Sequence, residues 1–129
     1  MSTDAHIEAE IKAKGLTAPR ITPADIEANI ESTHYFIAAA AAGMPPLEGV
    51  DYIAPRAVGP LDLLTFCVLV LRNGFTVTGE SACASPENFD PELGRKIARA
   101  NAVNKIWPLM GYELKERLYQ RTQPPQAPT

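Results

Sequence analysis

The chain has 129 residues and a net charge of −3, with 46% hydrophobic and 21% charged residues, the size and balance of one soluble domain with a core of its own. No apolar run approaches the ~20 residues of a membrane span, and neither membrane nor bulk nucleic-acid binding is implied. Two cysteines, Cys67 and Cys83, exclude a disulfide scaffold, and with only His6 and His34 beside them no metal-ligand spacing appears; no metal or cofactor is expected.

The opening MSTDAHIEAEIKAKG is acidic and amphipathic and lacks the n-region and h-region of a signal peptide. It predicts a cytoplasmic protein whose residues 1–20 are an extension with a short helix over 4–14, stopped by Gly15. Thr22-Pro23-Ala24-Asp25 predicts a helix start, with Thr22 as N-cap and Pro23 at the first helical position. Ile26, Ile30, Thr33 and Ile37 then recur at helical spacing, so this helix is expected to run on past His34 and Tyr35. AAAAAGMPPLEG ends it and opens a Pro/Gly-rich loop to about residue 60.

Residues 63–71 are apolar on both faces and are followed by Asn73-Gly74, the pair that best tolerates the two positive φ angles of a type I′ turn. An antiparallel hairpin is expected, about 64–72 with 75–81. A strand apolar on both faces needs cover on both sides, helices on one and a partner subunit on the other; a homo-oligomer, a dimer or larger, follows. Cys67 within this run reads as a buried thiol.

Asp90-Pro91-Glu92 carries the N-cap and first-turn signature of a helix over about 91–106. Trp107-Pro108 is expected to break it, and GYELKERLYQ to form a second, amphipathic C-terminal helix. The fold class is therefore α+β: a small antiparallel sheet with a central hairpin, an N-terminal helix and two C-terminal helices, in one domain over residues 21–119. Residues 120–129 form a Pro-rich tail, expected to be flexible.

Charge is uneven. Residues 1–62 hold four basic and nine acidic side chains, residues 91–121 seven and three. Arg95 and Arg99, four apart on one helix face with Lys96 beside them, suit an anionic small ligand or simply a solvated face. Between the hairpin and that helix, the polar stretch 73–90 is where small proteins place their chemistry. Asn73-Gly74 is explained by the turn, Cys83 by packing and Asp90 by the helix cap. Glu80, Ser81 and Asn88 have no such explanation. As a catalytic set, Glu80 with Asp90 and Ser81 or Cys83 lacks a sequence-near histidine to activate a nucleophile.

LLTFCVLVLRNGFTVTGESACASPENFDPELGRKIARANAVNKIWPLMGYELKERL and ITPADIEANIESTHYF resemble the core and the amino-terminal helix of a small phage-encoded family named for coliphage gene products forty-nine and sixty-six, with SACASPENFD and KIWPLMGY the most specific strings. That family is related to the first type of Thoeris anti-defence proteins, sponges that sequester cyclic ADP-ribose signals made by bacterial TIR immune proteins; some also bind cyclic oligonucleotides. The resemblance implies a non-enzymatic, homo-oligomeric immune-evasion protein acting in the cytoplasm of the infected host.

Such a ligand needs a stacking surface, hydrogen-bonding groups for base and ribose, and cations or amides for the diphosphate. Phe75, Phe89 or Trp107 offers the first; Asn88 suits an adenine edge and Asp90 ribose hydroxyls; Arg95, Arg99 or Lys105 would balance phosphate. Glu80 and Ser81 complete the ligand-binding set. The alternative is an interaction protein that binds and modulates a host protein through 73–90, and a third reading is a hydrolase of the same signals.

Overall fold

Three antiparallel strands in the order β1-β2-β3 organise the computed structural model, which describes residues 3–44 and 57–125. In chain order the elements are α1 (Thr3–Ala13), α2 (Pro23–Ala28), β1 (Ile30–Ile37), α3 (Ala38–Ala41), β2 (Leu64–Leu71), β3 (Thr76–Ala82) and α4 (Pro91–Arg121), with short 3-10 turns at Pro60–Leu63 and Pro86–Asn88. The α+β class is as expected. Most of the expected 43–60 loop and the last residues of the expected tail lie outside the described residues.

The chain divides into two compact units, Met1–Asn29 with Ile106–Thr129, and Ile30–Lys105. In the first, Thr22 caps α2 as its sequence predicts: its hydroxyl accepts from Asp25 N at 3.1 Å while its own N–H donates to Asp25 Oδ2 at 2.9 Å, a reciprocal capping box. The helix then ends at Ala28, with Asn29 as C-cap. This corrects the long helix expected from the spacing of Ile26, Ile30, Thr33 and Ile37. IESTHYFI is β1, and its β-branched and aromatic side chains fit a pleated surface better than a helix. Only Ile26 of that set keeps a buried helical place, and among the described residues of this unit Ile106 is fully buried as well.

In the second unit β2 pairs with β1 and with β3, which accounts for its nearly unbroken apolar sequence: it is the central strand. One of its faces is fully buried, with Thr65, Cys67, Leu69 and Leu71 at 5% exposure or less; the other is half-buried. Val77, Ala98 and Ala102 complete the buried side.

The turn after β2 is not type I′. Gly74 alone takes a positive φ, +89°, and Asn73 does not. Gly74 N donates to Leu71 O, Leu71 N to Phe75 O, and Asn73 Oδ1 accepts from Phe75 N at 2.9 Å. This three-residue loop with a left-handed glycine needs only one residue at positive φ, and the asparagine side chain braces it.

The second correction concerns Pro108. The two expected C-terminal helices are one, Pro91–Arg121, running through Trp107-Pro108. A proline inside a helix removes one backbone donor at a cost of ~3 kcal/mol. Thirty-one residues of continuous helix distribute that cost over many other bonds and over the burial of Ala98, Ala102 and Ile106.

The sheet unit owes its tightness to glycine at position 79. A Cβ there would lie 2.1 Å from Ala98 O and 2.3 Å from Ala102 N. Backbone of β3 and backbone of α4 therefore meet directly, with Ala98 and Ala102 small enough to allow it. Asn101 fastens the same approach by donating from Nδ2 to Glu80 O at 2.8 Å.

Candidate functional site

Ser81, directly opposite Thr65 in the β2–β3 ladder, faces the α4 side of the sheet, because paired residues share a face. After β3 the chain turns through Cys83 and the 3-10 turn. Cys83 N donates to Leu63 O at 3.0 Å, its Sγ donates to Ser85 O at 3.1 Å, and Asn88 N donates to Ser85 O at 3.0 Å. The thiol therefore helps to shape the loop, in line with a packing role. Asp90 then caps α4, its Oδ1 accepting from Glu92 N at 2.9 Å and from Leu93 N at 3.2 Å.

These turns border an open pocket of about 120 Å³ whose lining includes Ser81, Cys83, Asn88, Phe89, Asp90 and Ile97. Its floor is apolar and its rim polar. The Ser81 hydroxyl and the Asn88 carboxamide have no hydrogen-bond partner among the described residues. Gly94 lies at the helix side of the cavity and touches Thr65, whose Oγ1 would stand 3.0 Å from a Cβ at that position. Thr65 Oγ1 is itself buried, with no hydrogen-bond partner among the described residues.

The structure thus brings together Ser81, Asn88 and Asp90, with Phe89 as the aromatic wall, and leaves the other candidates elsewhere. Glu80 alternates with Ser81 along β3, so its side chain belongs to the opposite face of the sheet. Phe75 is at the hairpin end, half exposed. Along α4, Arg95 and Arg99 each follow a cavity-lining residue, Leu93 and Ile97, by two positions. Two positions are about 200° of helix rotation, so both arginines stand on the far flank. There the Arg99 charge partly offsets the burial that pushes the Cys67 thiol above its usual range. Lys105 is exposed, two turns beyond Ile97 on α4.

Trp107 lines a different cavity, of about 250 Å³, within the first unit, together with Ile7, Ile11, Ile21 and Pro23. At its wall the Arg20 guanidinium grips both oxygens of Glu8, through Nη1 at 2.8 Å and through Nη2. This fork holds the Glu8 carboxyl below its ordinary range. Sequence reasoning missed the pair: twelve residues separate the partners, and no local periodicity links them.

Among the described residues no three His, Cys, Asp or Glu side chains are grouped to hold a metal ion, and no helix is long and apolar enough to cross a membrane. No curated protein and no solved structure gives a match. Residues 21–118, which run from just before the α2 cap to the last turn of α4 and include the whole sheet and the cavity, match the family model, and the chain belongs to the Phage protein (N4 Gp49/phage Sf6 gene 66) family.

Proposed function

We propose that this protein binds and sequesters cyclic nucleotide-type immune signals, cyclic ADP-ribose isomers foremost, without cleaving them, in the cytoplasm of a phage-infected bacterium. The observation that carries the reading is the open pocket at the start of α4, where the Ser81 hydroxyl and the Asn88 carboxamide stand beside the apolar side chains of Phe89, Leu93 and Ile97. An aromatic wall beside a carboxamide is what a purine needs: a face to stack on and a group that both donates and accepts along the base edge.

At about 120 Å³ the cavity is smaller than the ~300–1,000 Å³ clefts that enclose drug-sized ligands. It fits one moiety, a base or a ribose, with the rest of the ligand outside. Asp90 favours a neutral moiety there. Its carboxylate already occupies the positive end of the helix dipole, where it repels phosphate.

The test is to incubate the purified protein with cyclic ADP-ribose isomers and cyclic oligonucleotides, remove unbound ligand, denature the protein by heat and identify what is released. Intact ligand in stoichiometric amount is expected. Asn88→Ala should weaken retention by roughly 5- to 100-fold, the ~1–3 kcal/mol of a bidentate base contact. Absence of binding heat in calorimetry for every compound defeats the proposal, and disappearance of ligand on incubation replaces sequestration with hydrolysis.

A further inference from the structure

The first unit holds an open pocket of about 250 Å³. One face of α1 supplies half of its lining: Asp4, Ile7, Glu8 and Ile11 stand at the i, i+3, i+4 and i+7 positions of a single helical stripe. That stripe is turned to the unit without being covered by it, since α1 has no buried residue and Ile7 is 50% exposed. Ile21 and Trp107, both half-buried, add apolar surface. The α1 stripe and Arg20 lie outside residues 21–118, the stretch that matches the family model, so most of this pocket is built by residues that the family pattern does not include.

The charges of the lining do not cancel. Arg20 donates from both Nη atoms to the two oxygens of Glu8, and this fork neutralises both side chains. Lys12 and Asp25, whose charges also reach Glu8, are opposite in sign and offset each other. Asp4 remains, its carboxylate without a hydrogen bond or ion pair among the described residues. An anion would have to displace Glu8 from a bidentate guanidinium and then face Asp4. A neutral apolar molecule would strip water from the carboxylate with nothing in return.

From this balance we infer that the pocket binds a small organic cation, a singly charged alkyl- or arylammonium whose charged end meets Asp4 while its apolar body covers Ile7, Ile11 and Trp107. The indole accepts either part of such a ligand, a ring against its face or a cation over it. The volume is just under the ~300–1,000 Å³ of clefts that enclose drug-sized ligands. It suits a single ring with a short arm, and a dissociation constant of roughly 0.1–1 mM is expected for so small a body. The inference does not rest on nucleotide sequestration, because Asp4, Ile7 and Trp107 take no part in the pocket at the start of α4.

Trp107 is the sole tryptophan, so its fluorescence in the full chain reports on this pocket. Phenethylamine, protonated at neutral pH, should change it saturably. Phenethyl alcohol and phenylacetate, the same body with no charge and with a negative one, should bind roughly 3- to 10-fold more weakly or not at all. Asp4→Asn should raise the phenethylamine dissociation constant by the same roughly 3- to 10-fold and leave the response to phenethyl alcohol unchanged; added salt should act in the same direction. Ile7→Ser should weaken all three probes alike, and Asn88→Ala none. Both Asp4 and Ile7 lie on a helix without buried residues, so neither variant puts folding at stake. A fluorescence signal that phenethylamine leaves unchanged overturns the inference. So do equal affinities for the three probes, an Asp4→Asn variant that binds phenethylamine as the parent does, or a preference for phenylacetate, which would make Arg20 the anchor.

Discussion

Replacing Gly79 with alanine places one methyl group where the structure has no room. The added carbon would stand 2.1 Å from Ala98 O and 2.3 Å from Ala102 N, whereas ordinary contact begins near 3.4 Å. Both neighbours are helix backbone, so no side-chain rotation relieves the clash. α4 must retreat from β3 by about 1.3 Å, and a gap of ~1 Å already forfeits a quarter to a half of each dispersion contact. Cys67, Leu69, Ala98 and Ala102, all fully buried, lose packing together, and the Asn101–Glu80 bond of 2.8 Å is stretched. Overpacking costs ~1–3 kcal/mol and more where backbone blocks the way, so a loss of at least ~3 kcal/mol is expected. For a chain of this size that is a fall in Tm of roughly 10–15 °C. Urea and thermal unfolding of Gly79→Ala measure it directly. A Tm within ~2 °C of the parent would refute the direct strand–helix backbone contact. Gly94→Ala provides the contrast. Its methyl meets the Thr65 hydroxyl at 3.0 Å, a few tenths of an ångström too close, while the helix gains ~1 kcal/mol from losing a glycine, so stability should change by less than ~1 kcal/mol.

The Thr65 hydroxyl is buried with no partner among the described residues, so Thr65→Val, which keeps the shape and removes the polar atom, should raise stability by ~1 kcal/mol; a clear loss on denaturant titration would reveal a partner for that oxygen. Asp90→Ala removes the acceptor for Glu92 N and Leu93 N and should cost ~1 kcal/mol, with faster amide exchange confined to the first turn of α4. The Arg20 fork lowers the Glu8 carboxyl from its usual 4.5. A lowered folded value means that the pair stabilises above the unfolded value and is lost as pH falls through the folded one. Amide exchange in α1 should therefore rise below about pH 4.5, and Arg20→Gln should remove that pH dependence without altering exchange in β2.

How far the sequence disclosed the fold depended on the range of the forces at each place. Thr22 with Asp25, and Asp90 with Glu92, are local devices: a side-chain oxygen beside unsatisfied N–H groups fixes a helix start whatever the rest of the chain does. The β2 run was equally legible, because a short apolar run of β-branched and aromatic residues ending at Asn73-Gly74 reads as a strand from its local composition alone, although only one of its faces is fully buried. β1 was not. Ile26, Ile30, Thr33 and Ile37 satisfy helical spacing, and what decides against it is the vacant edge of β2, filled from Ile30 to Ile37. That edge lies some 35 positions further along the chain, outside any local window. Pro108 misled in the opposite sense, since a local penalty of ~3 kcal/mol is outweighed by burial along a helix that was already established on both sides.

The candidate site was legible only to the extent that strand and helix phase could be assigned. Glu80 and Ser81 are neighbours in the chain, yet a strand sends them to opposite faces. Ser81 therefore joins Asn88 and Asp90 at the cavity, while Glu80 becomes a margin of the outer face. Arg95 and Arg99 looked convergent with Asp90 because they follow it closely in sequence, but once Leu93 and Ile97 turn toward the cavity, residues two positions later must turn away. The cavity is left with a capping carboxylate, a hydroxyl, a carboxamide and an aromatic wall, and, among the described residues, with no cation in its lining. That composition selects the uncharged end of a nucleotide: a base stacked on Phe89 and read by Asn88, or a ribose hydrogen-bonded at Ser81. The diphosphate of a cyclic ADP-ribose ligand would then lie outside the pocket, away from the Asp90 carboxylate. Binding should then depend strongly on Asn88 and Phe89, and weakly on salt, in contrast to a site built around phosphate neutralisation.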